Sequence, residues 1–523
     1  MNDSTGIDDL LSEYIEQEGQ LKSGEDATTD SFTEYIETND YFARTQEYYK
    51  KMSFYEMFSA LYFTLQSSYI CCTEYLKYKT GWKSKTNAII DVSKRLAGIN
   101  MMYVKIFQAF ATNKNIVSPE LNRFFSDYTD NVEYTDDEYT DEDLIEIEHK
   151  AVDCYPYKPI QILNNRKPIK SGLMSLIFKG RFVDGTDGTD GTDGSRYVAI
   201  KYLRNNIITN FNRSMNNLVV FAKLTKYIPY IRTLNIETLI LQNIVSMKDQ
   251  VCFRKEVTNI QQYYKSWKDC TYVKIPEPYS EFTEKINSNI IVMEFIDGIK
   301  ITEIEPADND KFGIILASFN AKAAFCNSIY HGDLHPGNIL FIKESVPATE
   351  PATEPAAEPA AEPATVYKIG ILDFGIIGHL TRNDQELLFK SAKLLYQKKY
   401  KRMIDVILNE MSEQLTPNNN NSITPVKLTD DLFCKIHREL HAIIVDYSTP
   451  EIKFIGVNEL YTVNYILNNY NLTFKRSLYR LFVTISIMDS IATKLGSEMS
   501  YMQHMTDVVI DLFGIDPGNF VDD

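Results

Sequence analysis

The spacing of apolar residues changes character twice along this 523-residue chain. From Tyr48 to about Tyr78, the side chains Phe54, Met57, Phe58, Leu61, Phe63, Leu65, Tyr69 and Ile70 recur at helical spacing, densely enough to predict a helix that buries much of its surface. A second helix is expected over Ile89–Ala111, and Ser118, Pro119 and Glu120 read as a further helix start. Residues 160–203 follow another rule. L-I-F-K-G-R-F-V and R-Y-V-A-I-K-Y-L are short runs rich in β-branched and aromatic residues, the mark of strands. N-I-I-V-M-E-F-I-D-G (289–298) is an apolar run closed by a turn signal, and reads as a buried strand. Helical spacing over 317–329 is followed by two more strand-like runs, I-L-F-I-K and Y-K-I-G-I-L. Thr381 and Asp384 then cap a helix, and the pattern stays helical to about Phe513. Helical, then β-rich, then helical: the chain is an α+β protein.

Two simple repeats interrupt the β-type region. D-G-T-D-G-T-D-G-T-D-G separates the runs ending at Val183 and beginning at Arg196, and an Ala/Glu/Pro repeat fills 348–365. Each falls where a hairpin turn is expected, and a flexible insert there is cheap because loop-closure entropy grows only logarithmically with length. The alternating Asp and Gly do not make a calcium loop, which needs a closing bidentate Glu and flanking helices.

Charge sharpens the domain picture. The net charge is −17, yet residues 1–50 carry 13 acidic and 3 basic side chains, and residues 127–148 carry 11 acidic and no Lys or Arg. The remainder of the chain is therefore slightly basic, with no concentrated positive surface for nucleic acid. The reading is an acidic disordered tail over 1–47, a helical extension with an acidic linker over 48–150, a β-rich lobe over 151–299 and a helical lobe over 300–523. The seven cysteines are scattered and lack any C-x-x-C pair, as in a reducing compartment. No run of 18 apolar residues and no signal or transit pattern is evident, so a cytoplasmic location is expected. The Asn-, Ile- and Tyr-rich composition with simple repeats fits an AT-rich genome, a protist or a large DNA virus; for a viral copy the location becomes the host cytoplasm or the virion. Peripheral membrane contact stays open.

The candidate chemistry lies in Y-H-G-D-L-H-P-G-N-I-L-F (330–341) and in D-F-G at Asp373–Gly375. Phosphoryl transfer needs a carboxylate to take the proton of the attacking hydroxyl, and an Asn and an Asp to hold Mg²⁺ against the phosphates. Asp333 and Asn338 meet the D-x-x-x-x-N spacing, and Asp373 follows an apolar strand. Lys201 ends V-A-I-K, where alternation puts it on one face with Ala199 and Leu203, and such a Lys needs a carboxylate partner. Glu256, in the helical run that follows, is the candidate. In a kinase-like arrangement the main chain at Glu294, Phe295 and Ile296 would fall at the hinge between lobes and is expected to meet adenine. His437 and His441 are one helical turn apart, but with no third ligand they read as a polar helix face.

Together these motifs resemble the UbiB-type atypical kinases (the aarF-domain kinase family), over roughly residues 90–410. Upstream, K-I-F-Q at 105–108 is similar to the family's K-x-G-Q, and R-K-E-V-T-N (254–259) to its R-E-A-x-N. The resemblance implies a protein-kinase-like two-lobed fold with a helical extension. It implies that Lys105 and Gln108 fold over the nucleotide site and restrict access, and that Lys201 and Glu256 form an ion pair. It makes Asp333 the catalytic-loop Asp, gives the metal to Asn338 and Asp373, and has His331, His335 and Gly337 shape the loop. The chain departs from the family at Phe107, which replaces the motif Gly, and at Gln250 and Cys252, which replace an acidic pair. The family's Ala-rich phosphate loop appears as P-I-K-S-G-L-M-S (168–175), where Ser171 and Gly172 are the small residues and Lys170 adds a charge. The implied activity is ATP- and Mg²⁺-dependent (or Mn²⁺-dependent) phosphotransfer to a protein or lipid-like substrate. The alternatives are an ATPase, a lipid or small-molecule kinase linked to prenyl-quinone metabolism, and a nucleotide-binding pseudokinase scaffold.

Overall fold

The computed structural model describes residues 54–104, parts of 120–151, 159–183, parts of 196–218, 251–346, 364–414, 429–447, 457–496 and 501–512. The acidic tail, Lys105 and Gln108 lie outside the described residues, as does most of each repeat. The chain divides into two compact units, one of Met1–Thr129, Asn206–Val245 and Asp511–Ile515, the other of Asp130–Asn205, Ser246–Ile510 and Asp516–Asp523.

In the first unit, α1 (Phe54–Lys79) and α2 (Lys85–Ile99) are joined by a turn through Gly81, whose φ of 77° suits glycine. The Ser84 hydroxyl accepts the Asn87 N–H (3.2 Å) and starts α2. One stripe of α1 is buried: Phe63, Ser67, Ile70 and Glu74. Phe58, Leu61, Leu65 and Tyr69 are instead exposed, contrary to the burial that their spacing suggested. Apolar residues surround this helix, whereas its inward face is a single stripe.

Glu74 is the polar anchor of this helix pair. Its carboxylate accepts from Lys77 Nζ (2.6 Å), Lys83 Nζ (2.8 Å) and Arg95 Nη1 (2.8 Å). The hydrogen bonds from Lys77 and Lys83 hold its pKa down to about 2, against the effect of burial. A carboxylate depressed in the folded state contributes stability above its ordinary pKa and loses it as the pH falls through the folded value. Wild type is therefore expected to be more stable than Glu74→Gln at pH 7, with the gap closing as denaturation is followed from pH 5 towards 2. A gap independent of pH would show that the carboxylate charge is not what joins the helices.

The second unit begins with α3 (Asp141–Lys150), capped by the Thr140 hydroxyl on the Asp143 N–H. β1 (Ile160–Ile162), β2 (Lys170–Ser171), β3 (Ser175–Phe182) and β4 (Tyr197–Leu203) follow, then α4 (Phe253–Trp267), β5 (Val273–Lys274) and β6 (Ile290–Glu294). These strands, β5 apart, form an antiparallel sheet ordered β1-β3-β4-β6, with β2 paired to β3. On one face Val198, Ile200 and Tyr202 join Leu176, Phe178 and Val292 in a core that also takes in Leu144, Ile147 and Ala151. α3 carries an acidic sequence, but its apolar residues Leu144 and Ile147 lie on one helical face and pack into the sheet core.

The larger half of this unit starts at α5 (Asn309–Phe325). The helix expected to reach 329 stops at Phe325; Ser328 turns the chain with φ 57°, and β7 (Ile329–His331) begins. β8 (Ile339–Val346) and β9 (Ala364–Ile371) pair in antiparallel register from Ile339↔Ile371 to Val346↔Ala364, and β5 joins β9 in parallel. β10 (Ile377–His379) pairs with β7, closely enough that Gly378 lies under the Tyr330 ring, where a Cβ has no room. The helices α6 (Arg382–Tyr396) and α7 (Tyr400–Val406) come next, then β11 (Ser412–Gln414), α8 (Asp430–Tyr447) and α9 (Val457–Asn469). β12 (Leu472–Phe474), α10 (Arg476–Leu495) and α11 (Tyr501–Leu512) complete the described chain. The Asp384 N–H bonds the Thr381 hydroxyl (3.1 Å) and the Thr381 N–H bonds the Asp384 carboxylate (3.0 Å), forming the cap of α6. A small antiparallel sheet with one long helix, followed by a mainly helical half, is a two-lobed kinase-like α+β fold.

Candidate nucleotide and phosphoryl-transfer site

Both repeats join, along the chain, strands that pair directly. The second leaves β8 at Val346, whereas Asn338 precedes the other end of that strand. At about 3.3 Å per residue, these ends are roughly 23 Å apart. The Leu372 N–H donates to the Asn338 carbonyl (3.0 Å), which brings the residue before Asp373 beside the catalytic-loop candidate.

Lys201 lies on β4 between Ile177 of β3 and Ile291 of β6. Ala199, Lys201 and Leu203 occupy the face opposite Val198, Ile200 and Tyr202, yet they too are buried. The Lys201 ammonium donates to Glu256 Oε1 (2.6 Å) and Asp373 Oδ2 (3.1 Å). Burial pulls its pKa down, but the two carboxylates more than offset this and hold it above the usual lysine value. Glu256, on the first turn of α4, is almost wholly buried, and burial pushes its carboxyl up to about 7 against the attraction of Lys201. Its second oxygen, Oε2, has no hydrogen-bond partner among the described residues. Asp373 is held well below the usual carboxylate range: burial works against ionisation, but Lys201 and the Gly375 N–H (2.9 Å to Oδ1) prevail.

The loop after β7 presents the other candidates. The Asn338 side chain is buried and donates its amide N–H to the Asp333 carbonyl (3.1 Å). That bond leaves Oδ1, the end a cation needs, on the other side of the amide. His331 ties this loop to the segment after β9. Its Nδ1 accepts the Asp333 N–H (3.1 Å), so its proton is on Nε2, which donates to the Asp373 carbonyl. Burial keeps this imidazole neutral, with its pKa lowered. Behind it the Thr484 hydroxyl of α10 donates to the His331 carbonyl (2.9 Å). From α4 the Asn259 amide donates to the Phe374 carbonyl (2.7 Å), giving the last position of the R-K-E-V-T-N motif a partner 115 residues away.

Other candidates are placed differently. Ser171 is buried, and its hydroxyl donates to the Val132 carbonyl (2.5 Å) while accepting from Arg204 Nη2 (2.6 Å). Arg204 also bonds the Gly172 carbonyl (2.6 Å), so the hairpin turn between β2 and β3 is pinned from behind. The sequence carries no mark of this role for Arg204, since its carboxylate partner Glu138 is 66 residues away. Glu294 ends β6 with its carboxylate on Lys274 (2.6 Å), and the Phe295 N–H donates to the Tyr197 carbonyl (3.0 Å). Ile296 is buried and packs so close to Gly370 that a Cβ there would meet its Cγ2 at 2.8 Å. His437 and His441 stack 6.4 Å apart on α8, and among the described residues no group of three or more His, Cys, Asp or Glu forms a metal site. Asn338 and Asp373, one amide and one carboxylate, therefore fit a divalent cation only where phosphate oxygens and water complete its shell, as hard cations commonly require. No helix among the described residues is long and apolar enough to cross a membrane.

Residues 167–407 match the ABC1 atypical kinase-like domain. A protein named "Probable protein kinase UbiB" from Pasteurella multocida is 24% identical over 344 residues, covering 64% of this chain and 58% of the relative. A mitochondrial ABC1 family protein of Schizosaccharomyces pombe is 26% identical over 147 residues, 27% of this chain and 21% of the relative. The chain thus spans less than two thirds of the length of these relatives. Among solved structures, a Mycobacterium tuberculosis protein in complex with erythromycin aligns with TM-score 0.39 and 13% identity, over 71% of this chain and 88% of the other. Residues 167–407 are thus similar to the ABC1 atypical kinase-like domain, and the chain is similar to proteins named as UbiB protein kinases.

Proposed function

We propose that this chain is an ATP- and Mg²⁺-dependent phosphotransferase whose acceptor is a hydroxyl group on a protein or lipid-like substrate. The observation that carries the reading is the meeting of Lys201, Glu256 and Asp373 beside the loop of Asp333 and Asn338. In this reading Lys201, held in place by Glu256, faces the α- and β-phosphates. Asn338 and Asp373 hold the cation, which would neutralise charge on the phosphate oxygens. The Asp333 carboxylate takes the proton of the attacking hydroxyl, the new phosphorus–oxygen bond forms as the bond to ADP breaks, and ADP departs. The main chain at Glu294–Ile296 meets adenine, with the Phe295 N–H already engaged by Tyr197. Lys105 and Gln108 gate access to the site.

Thermal unfolding with Mg·ATP tests this reading. A ligand at about 100 times its Kd adds ~2.7 kcal/mol to the stability of the folded state. Wild type should show that gain, and Asp373→Asn should lose most of it. No gain in well-folded wild type would remove the reading. A gain without any ADP release would leave a nucleotide-binding scaffold.

A further inference from the structure

The loop that carries Asp333 and Asn338 is held at its entrance by a helix far along the chain. α10 buries a stripe of apolar residues, Leu478, Leu481, Ile485, Met488 and Ile491 among them, and Thr484 is the one polar side chain buried with them. A buried hydroxyl costs free energy unless it bonds, and a valine would fill the same space without that cost. Thr484 directs its proton to the loop. Its hydroxyl lies 2.9 Å from the His331 carbonyl and 3.2 Å from the Arg480 carbonyl, one turn back on its own helix, and the shorter contact takes the proton. The residue before His331 is tied to the same helix, since the Tyr330 hydroxyl donates to the Ser477 carbonyl (3.0 Å). Ser477 and Thr484 lie two helical turns apart on one face of α10.

His331 is the residue through which such a tether matters. Its ring joins the Asp333 N–H to the Asp373 carbonyl, so whatever fixes its main chain also fixes the proton acceptor against the metal ligand of the reading above. α10 itself lies beyond the matched stretch 167–407, and no motif spacing announces it. Resting on the phosphotransfer reading above, we propose that Thr484 is a positioning residue for the reaction. With the Tyr330–Ser477 bond beside it, its hydroxyl holds His331 so that Asp333 and Asp373 keep the geometry of transfer. Buried behind the loop, Thr484 acts only through His331, and it acts on the chemical step, where a displacement of about 1 Å lowers a rate by as much as ~10²-fold.

The test is kcat and KM for ADP release from Mg·ATP, beside hydrogen exchange of the loop amides, in wild type, Thr484→Val, Thr484→Ser and Tyr330→Phe. Thr484→Val keeps the shape and removes the hydroxyl. It should lower kcat by about tenfold with KM within about threefold, and speed exchange over residues 331–338 by about tenfold. Thr484→Ser, which keeps the hydroxyl, should recover most of both. Tyr330→Phe cuts the second bond and should lower kcat in the same direction, which keeps the test decisive where Thr484→Val does not fold. Unchanged kcat in the folded variants, a loss carried by KM, or a serine no better than valine would make this face of α10 ordinary packing; each overturns the proposal while the phosphotransfer reading stands. Folded wild type that binds Mg·ATP and never releases ADP would overturn the phosphotransfer reading, and this one with it.

Discussion

Lys201→Met should lower the stability of the folded chain by about 3–5 kcal/mol, the usual result of stranding one partner of a buried ion pair. Glu256 would keep its buried position without its cation, and its Oε2 already has no hydrogen-bond partner among the described residues. Asp373 would suffer less, because its side chain is 38% exposed and water can replace the lost ammonium. The pH dependence has a definite sign. The Glu256 carboxyl is raised to about 7 even with Lys201 present, and removing the ammonium raises it further. For an acid raised on folding, the unfolded state loses its proton first, so stability falls as the pH rises from about 4.5 through the folded pKa. The cost of Lys201→Met should therefore be largest above neutrality and shrink towards pH 5. Lys201→Met/Glu256→Leu should regain much of the stability, since a well-packed apolar pair often does as well as a buried salt bridge. It should not regain Mg·ATP binding. Urea denaturation of the three proteins at pH 5 and 8 checks this, and a pH-independent cost would show that packing of the Lys201 stem, not its charge, is what is lost.

Asp333→Asn should leave Mg·ATP affinity within a few fold of wild type and reduce ADP formation by about 10²–10⁴-fold, the usual contribution of a general base. The distinction follows from how the residue is held. Its carbonyl, not its carboxylate, accepts from Asn338 and His335, and its N–H donates to His331, so an isosteric amide keeps these three bonds of the loop. Rates of ADP release at saturating nucleotide, beside Kd values, separate the two effects. Unchanged turnover with unchanged affinity would take the proton-accepting role away from Asp333.

The loop and strand motifs were readable because each is local. The apolar runs before Lys201 and before Asp373 are strands on their own evidence, and alternation along β4 places Lys201 opposite Val198, Ile200 and Tyr202, as the structure has it. Asp333 and Asn338 share one loop by spacing alone. The pairing of the strands on either side of each repeat was legible for the same reason, since each repeat separates two strand patterns. Less legible was α3, whose acidic composition suggested a linker; its solvent face carries the charge, while Leu144 and Ile147 are buried against the sheet. Composition averages over both faces of a helix, and only packing separates them.

The amino-acid sequence by itself determined the order of helices and strands, the loop of Asp333 and Asn338 and the Asp-Phe-Gly turn, because backbone hydrogen bonding and side-chain alternation repeat over a few residues. Tertiary structure decided the partners. It set Lys201 against Asp373, 172 positions away, turned the Ser171 hydroxyl away towards Val132 and Arg204, left much of α1 exposed, and carried Lys170 across to Gly337. Such contacts depend on register and on which faces meet, and no periodicity along the chain encodes them.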